Sequence, residues 1–364
     1  MPPSDRYAIL SFKEYKEKAA MSLTIEEAVD RIRPLDAQAQ IQAQSRWDSR
    51  AKLPGSLGEL EWAVIRLAGI RRTASPVIDR KQVVVFCADN GVTAESVTPS
   101  DPRITAAQAL NFAEGGGTIN AFARRLGADV LVVDIGIATP CRHPGILRRA
   151  VRPGTGNIVS APAMTAEECR RAVETGISLA EDAALRGVDL LITGEMGIGN
   201  TTTSSAVTAV LLGRPPEEVT SKGAGRPGAV PHKAAVIRRA IERHRPRPQD
   251  PLDILAKVGG LDIAGMCGLY IGGAAWGLPV VIDGVISAAA ALCAARMAPL
   301  CQEYMLPSHC SAEPAGRLLL DALGFRAPIQ AGLCLGEGTG GVLGAALLDY
   351  ALSAYRDVID LADL

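Results

Sequence analysis

A single carboxylate, Glu337, stands inside the run Leu335-Gly336-Glu337-Gly338-Thr339-Gly340-Gly341 near the C-terminus. Glycines admit close backbone approach and conformations that other residues avoid, so an acid held among them can be set over a small ligand. That makes Glu337 the first candidate for proton transfer. The same residues would also serve a tight loop before an apolar helix over 342–352, with Glu337 merely capping it. A second acid sits in similar company, in Thr193-Gly194-Glu195-Met196-Gly197-Ile198-Gly199-Asn200-Thr201-Thr202-Thr203, which opens a helix expected to run through Leu212. Free N–H groups at a helix start, threonine hydroxyls and glycines together make an anion cradle, and phosphate is its natural guest. The cluster is not a P-loop, because no Lys-Ser/Thr pair follows, and it lacks the G-x-G-x-x-G order of dinucleotide folds. A well-capped helix is the plainer reading of any Gly/Thr cluster; the acid within this one favours a site.

Other residues extend the pattern. Gly223-Ala224-Gly225-Arg226-Pro227-Gly228 is a flexible loop, and Lys233 follows five residues on, where its ammonium can meet the cradled phosphate or simply face solvent. Two apolar runs that read as strands, 83–87 and 280–282, end in Asp89 and Asp283. In open α/β sheets the carboxyl ends of strands border the ligand, and a carboxylate there suits a ribose diol. Only four histidines occur, none at a metal-binding spacing, so the pattern implies no metal centre. No G-x-S-x-G elbow is present, and His309 and Cys310 are chain neighbours that rarely face each other as base and nucleophile. What remains is a site for a phosphorylated small molecule with carboxylates for proton transfer.

The elements that must position these groups follow a βαβ rhythm. Apolar runs at 83–87, 130–133, 190–192 and 280–282 alternate with helical segments, which predicts a Rossmann-like, doubly wound parallel sheet in an α/β fold. Residues 138–160, with three prolines and a Gly-Thr-Gly-Asn turn, read as irregular. Helical patterns over 24–50 and 59–70 precede any strand and are expected to lie apart from the sheet. The implied organisation is a small helical domain drawn largely from residues 1–75, a catalytic α/β domain over 76–345 and a C-terminal helix over 346–364. Residues 1–22 read as frayed or loosely docked. The chain is 48% hydrophobic with a formal net charge of -1, which argues against a nucleic-acid or membrane-surface partner held by bulk charge. Its eight cysteines form no C-x-x-C pair, and no secretion signal opens the chain, so a cytoplasmic location is expected. Residues 263–282 carry no charge, but five glycines and Pro279 interrupt them, so they read as a buried helix, a turn and a strand.

Six ordered blocks carry a family resemblance: Pro54-Gly55-Ser56-Leu57-Gly58-x-Leu60-Glu61, Cys87-Ala88-Asp89-x-Gly91-Val92, Gly194-Glu195-Met196-Gly197-Ile198-x-Asn200-Thr201-Thr202, Lys257-Val258-Gly259-Gly260-x-Asp262, Ser308-His309-x-Ser311-Ala312-Glu313 and Leu335-Gly336-Glu337-Gly338-Thr339-Gly340. Together they resemble the nicotinate-nucleotide:5,6-dimethylbenzimidazole phosphoribosyltransferases of cobalamin lower-ligand synthesis. The resemblance implies a glycosyltransferase that moves phosphoribose from nicotinate mononucleotide to a benzimidazole nitrogen, releases nicotinate and inverts the ribosyl carbon, with no cofactor. It implies Glu337 as general base and Glu195 as supporting acid. By the same resemblance Ser100 and Gln108 border the base pocket, and Leu335 and Gly336 contact substrate. Gly194, Gly197, Asn200, Thr201, Thr202, Gly225 and Lys233 would hold the 5′-phosphate, with Asp283 and Ser308 near the ribose. A homodimer is implied as well. The low aromatic content, 4%, points to a base pocket of Met, Leu and small side chains. Acceptors other than dimethylbenzimidazole (a benzimidazole, a phenol, adenine) and a non-catalytic α-ribazole or nucleotide-binding protein are the competing readings. The presence of Glu337 favours the enzyme.

Overall fold

The computed structural model describes residues 23–225 and 228–364, so the expectations for residues 1–22 and for Arg226-Pro227 lie outside the described residues. Six strands form one sheet: β1 Lys81–Ala88, β2 Asp129–Gly136, β3 Ile146–Arg148, β4 Leu190–Met196, β5 Val280–Ile282 and β6 Met305–Pro307. They pair in the order β3-β2-β1-β4-β5-β6, every pair parallel. The strand order reverses between β1 and β4, which opens a crevice at their carboxyl ends.

Both faces of the sheet are covered, which is why its central strands read as unbroken apolar runs. Side chains alternate along a strand, so Val84 and Phe86 of β1 join one apolar cluster while Val83 and Val85 join the other. The first cluster takes in the helices Ala166–Leu185, Leu261–Ala275 and Val285–Met297. The second takes in Ala37–Ser49, Glu59–Arg71 and Thr339–Asp357. The N-terminal helices, expected to lie apart, thus share the sheet's apolar layers: Trp47, Val64 and Leu67 cluster with Val83 and Val85, and Ile25 and Ala28 cluster with Val84. The helical pattern over 24–50 resolves into Ile25–Arg31 and Ala37–Ser49, with Thr24 and Asp36 accepting N–H groups at the two starts. The last helix begins at Thr339 and runs unbroken through residue 345, where the C-terminal segment was expected to start.

Two short strands escaped the sequence pattern. β3 lies in the segment read as irregular, and β6 ends on Pro307. Each has three residues and forms a sheet edge, where length and apolar content are least demanded and proline is tolerated.

The uncharged stretch is the buried helix Leu261–Ala275 followed by β5. Among the described residues no helix is long and apolar enough to cross a membrane. Its glycines serve contact: a Cβ on Gly268 would fall 1.8 Å from the carbonyl oxygen of Val173, and one on Gly176 2.0 Å from that of Gly265. The two helices therefore cross backbone to backbone beneath the sheet. Gly268→Ala is expected to force them apart and lower stability by about 1–3 kcal/mol, read from chemical denaturation midpoints.

Candidate active site

A cavity of about 780 Å³ lies at the carboxyl ends of β4, β5 and β6, within the usual size range of small-molecule sites. β4 extends beyond the apolar run 190–192, so Glu195 stands within the strand rather than in the loop after it. Thr193 is accommodated there by the Val281 carbonyl, at 2.9 Å, and by the hydroxyls of Tyr270 and Ser287. Gly194 does not border the cavity; a Cβ on it would fall 2.5 Å from the carbonyl oxygen of Glu337. Its place in the strand lets the Glu337 loop lie directly on β4.

That loop is conformationally unusual. Glu337 has φ +64 between Gly336 at φ +83 and Gly338 at φ +93. A non-glycine residue in this region costs on the order of 1–3 kcal/mol and is held only where its surroundings dictate it. Asp283 does the holding: its carboxylate accepts the N–H of Gly338 at 3.1 Å and that of Gly341 at 2.8 Å, at the start of helix Thr339–Asp357. Expected as a ribose contact, Asp283 does lie on the cavity wall, but both its oxygens are engaged with the loop backbone. Glu337 itself is buried, and its Oε2 has no hydrogen-bond partner. Burial raises its pKa above the ordinary carboxylate value and the charge of Asp283 adds to this, against the backbone N–H of Ile119. Gly336 lets the loop lie against the second acid, since a Cβ there would fall 2.3 Å from Glu195 Oε1.

Glu195 is pushed up to about 8, by burial first and by the neighbouring charge of Asp262 second, with the Asn200 amide working the other way. Also on the cavity wall, Lys233, 1% exposed, donates from Nζ to Thr201 Oγ1 at 2.8 Å. Burial lowers Lys233 to about 8, and Glu313 counters part of that. Glu313 in turn accepts from the Ser221 hydroxyl. Thr201, Ser221, Gly223, Lys233 and the start of helix Asn200–Leu212 thus make one polar pocket within the cavity.

The cavity wall gathers Glu337, Glu195, Gly197, Asn200, Thr201, Lys233, Asp283, Leu335 and Gly336. It does not include Ser100, Gln108, Thr202, Gly225 or Ser308. Gln108 Oε1 accepts from Asn111 at 3.1 Å; its helix is docked beside the wall through Thr105 Oγ1, which takes the Ile198 N–H at 3.1 Å. The Ser100 N–H donates to Thr98 Oγ1 at 3.2 Å, and it is Thr98 that reaches the wall. Thr202 is fully buried and its hydroxyl is unpartnered. Gly225 closes a turn onto the Lys222 carbonyl beside the wall residues Gly223 and Ala224. The Ser308 hydroxyl faces inward, donating to the Ile282 carbonyl at 2.6 Å, while His309, Ser311 and Glu313 face the cavity. Alternation beyond the short β6 was the one signal that could have assigned them, and β6 itself was not legible. Asp89, expected at the site's edge, points its Oδ2 at the Ala138 N–H, 2.8 Å away, and does not reach the wall.

A phosphoribosyltransferase family model matches residues 32–363. The nicotinate-nucleotide–dimethylbenzimidazole phosphoribosyltransferase of Ruminiclostridium cellulolyticum is 43% identical over 343 residues, covering 94% of this chain and 97% of that one. This chain belongs to that family. A second member, from Acetivibrio thermocellus, is 46% identical, with 86% of this chain and 90% of the relative aligned. The crystal structure of the transferase of that name from Thermus thermophilus superposes with a TM-score of 0.85 at 40% identity, over 90% of this chain and 98% of the other. The α/β fold and the parallel sheet are therefore those of the family.

For a transferase of this kind the acid end of the cavity carries a stability cost of definite sign. Glu195 and Asp262 are raised to about 8 and about 6, so the folded state binds more protons than the unfolded chain above their ordinary pKa values. Stability must then fall as pH rises through this interval. The substrate-free protein is expected to melt at progressively lower temperature from pH 5 to pH 8, and Glu195→Gln to flatten that slope; a differential scanning calorimetry series in pH reads both.

Proposed function

We propose that Glu337 is the general base of phosphoribosyl transfer from nicotinate mononucleotide to 5,6-dimethylbenzimidazole, the step that prepares the lower-ligand nucleotide in cobalamin biosynthesis. The observation that carries this reading is the unpartnered Oε2 of Glu337, buried on the cavity wall in a backbone conformation that two glycines and Asp283 impose. A buried acceptor left without a donor is costly unless a ligand supplies one, and the N–H of the incoming base is such a donor.

The reaction proceeds by attack of a ring nitrogen of the base on C1′ of the ribose. The bond from C1′ to the nicotinate nitrogen breaks, and its electron pair discharges the pyridinium. Attack on the face opposite the leaving group inverts C1′ from β to α. The proton on the second ring nitrogen passes to Glu337. Because the leaving group departs neutral at its ring nitrogen, the protein's task is to orient the two reactants and remove one proton. A carboxylate raised by burial is suited to that proton near neutral pH.

The 5′-phosphate is assigned to Thr201, Ser221, Gly223, Lys233 and the N-terminal turn of helix Asn200–Leu212. Glu195 supports the reacting ribose from β4. Met196, Ile198, Ile286 and Leu335 supply the apolar wall that a planar base needs, and His309 is the only aromatic ring among the wall's described residues. The working form is a cytoplasmic homodimer in this reading. Tyr350, 70% exposed on helix Thr339–Asp357, is the kind of side chain a second copy would cover.

Purified protein incubated with nicotinate mononucleotide and a panel of bases tests the assignment, with nicotinate release and product mass as readouts. Release that depends on a base, with dimethylbenzimidazole preferred over benzimidazole, a phenol and adenine, is the expected outcome. Nucleotide binding without release under any base would mean a binding protein and end the proposal. Glu337→Gln is expected to lower kcat by about 10²–10⁴ while nucleotide affinity stays near wild type. Lys233→Met should instead weaken nucleotide binding at least tenfold in calorimetric titration, the scale of one lost charge-assisted contact.

A further inference from the structure

Asp262 is a carboxylate with no exposed surface, and it lies outside the cavity wall. It stands in the first turn of helix Leu261–Ala275, where an acid is favoured by the helix dipole, and its Oδ1 accepts the N–H of Ile263 at 3.0 Å. That local role uses one oxygen. The other, Oδ2, reaches the first residue of a different helix and accepts from Asn200 Nδ2 at 3.0 Å. The same Asn200 nitrogen also donates to Glu195 Oε2. A side-chain amide has two N–H donors on that nitrogen, so both are used and the amide cannot turn without stranding two buried carboxylates. The backbone closes around the arrangement: a Cβ on Gly197 would fall 2.9 Å from Asp262 Oδ2, and one on Gly260 2.3 Å from Oδ1.

We propose that Asp262 is a positioning residue for the transfer reaction: by taking one N–H of the Asn200 amide from behind the cavity wall, it directs the other at Glu195 Oε2 and fixes that acid with its Oε1 beside Gly336. The inference rests on the reaction proposed above and assigns a role to a residue that meets no substrate.

The geometry has an electrostatic consequence. With Oε2 occupied as an acceptor, a proton on Glu195 resides on Oε1, beside the Glu337 loop. Asp262 adds to burial in keeping that proton in place, and Asp283, after β5, and Glu313, before helix Ala315–Ala322, act in the same sense. On β1 the buried thiol of Cys87 is raised well above its ordinary value and brings no charge. Lys233, from helix Ala229–His244, is the cation that acts on Glu313, and Asp89 is a further acid acting on Asp262. Between about pH 6 and about pH 8, Asp262 is ionised while Glu195 keeps its proton. Glu195 then offers a hydrogen-bond donor to the cavity without adding a charge that would repel an anionic nucleotide.

The test is the pH dependence of kcat/KM for wild type, Asp262→Asn, Glu195→Gln and the double variant. Wild type is expected to lose activity with an alkaline limb near pH 8, and Asp262→Asn to move that limb down by about one pH unit. In the Glu195→Gln background any alkaline limb left should be that of Lys233, itself lowered to about 8, and Asp262→Asn should not move it. If Asp262→Asn instead lowers kcat/KM by one factor at every pH, and by the same factor in both backgrounds, Asp262 is structural only and the proposal fails. Should Asp262→Asn not fold, Asn200→Ala breaks the same bridge. Its effect is read from the Glu195 carboxyl titration by ¹³C NMR, with Glu195→Gln assigning the resonance; a titration identical to wild type overturns the proposal. Absence of base-dependent turnover in wild type would overturn the proposed function together with this role. Turnover with an unmoved limb overturns the role of Asp262 alone.

Discussion

The contact on which the site depends is backbone against backbone, where the Glu337 carbonyl lies over the Cα of Gly194 at a distance that admits no side chain. Everything at the acid end follows from it. The loop comes close enough to β4 only with its glycines on either side, and this leaves Glu337 in a left-handed conformation. Asp283 completes the constraint by taking two N–H groups at the start of the following helix. An acid held in this way loses little further freedom when a substrate arrives, which is how a rigid sheet contributes to rate. The cost is met elsewhere in the fold, by two apolar layers on a sheet covered on both faces.

Carboxylates crowd the same space. Glu195, Asp262, Asp283, Glu313 and Glu337 all have pKa values raised mainly by burial. Of the two described lysines on the cavity wall, Lys222 and Lys233, the second is likewise destabilised as an ion by burial. Such a site is less negative than a count of its acids suggests, because Glu195, raised to about 8, keeps its proton at neutral pH. That property reconciles an acid-rich cavity with an anionic nucleotide donor.

Much of this was legible in the sequence because parallel sheets and glycine clusters leave direct traces. The runs 83–87, 130–133 and 190–192 lie within β1, β2 and β4, and both Glu337 and Glu195 were marked by the glycines around them. What could not be read depends on residues far apart in the chain. Nothing local shows that Asp283 meets the N–H groups of residues 338 and 341, so its carboxylate read as free for a ribose. Thr193-Gly194-Glu195 read as the stretch after a strand because the place of its threonine and glycine within β4 is explained by Tyr270, Ser287 and the Glu337 loop, all distant in the chain. Glu313 and His309 were missed as wall residues because the edge strand that points them is three residues long.

The division of labour along β4 and its neighbours bears on how such a protein can diversify. Asn200, Asp262 and Asp283, which hold the acids in place, each make two hydrogen bonds to strands, helix starts or one another, so replacing any of them disturbs two bonds at once. Met196, Ile198, Ile286 and Leu335 give the cavity wall its larger apolar side chains, and among the described wall residues there is no Phe, Tyr or Trp. Substitution at these apolar positions would reshape the cavity wall without breaking the hydrogen bonds that hold the acids, which leaves room for the occupant to change while the acid framework stays in place.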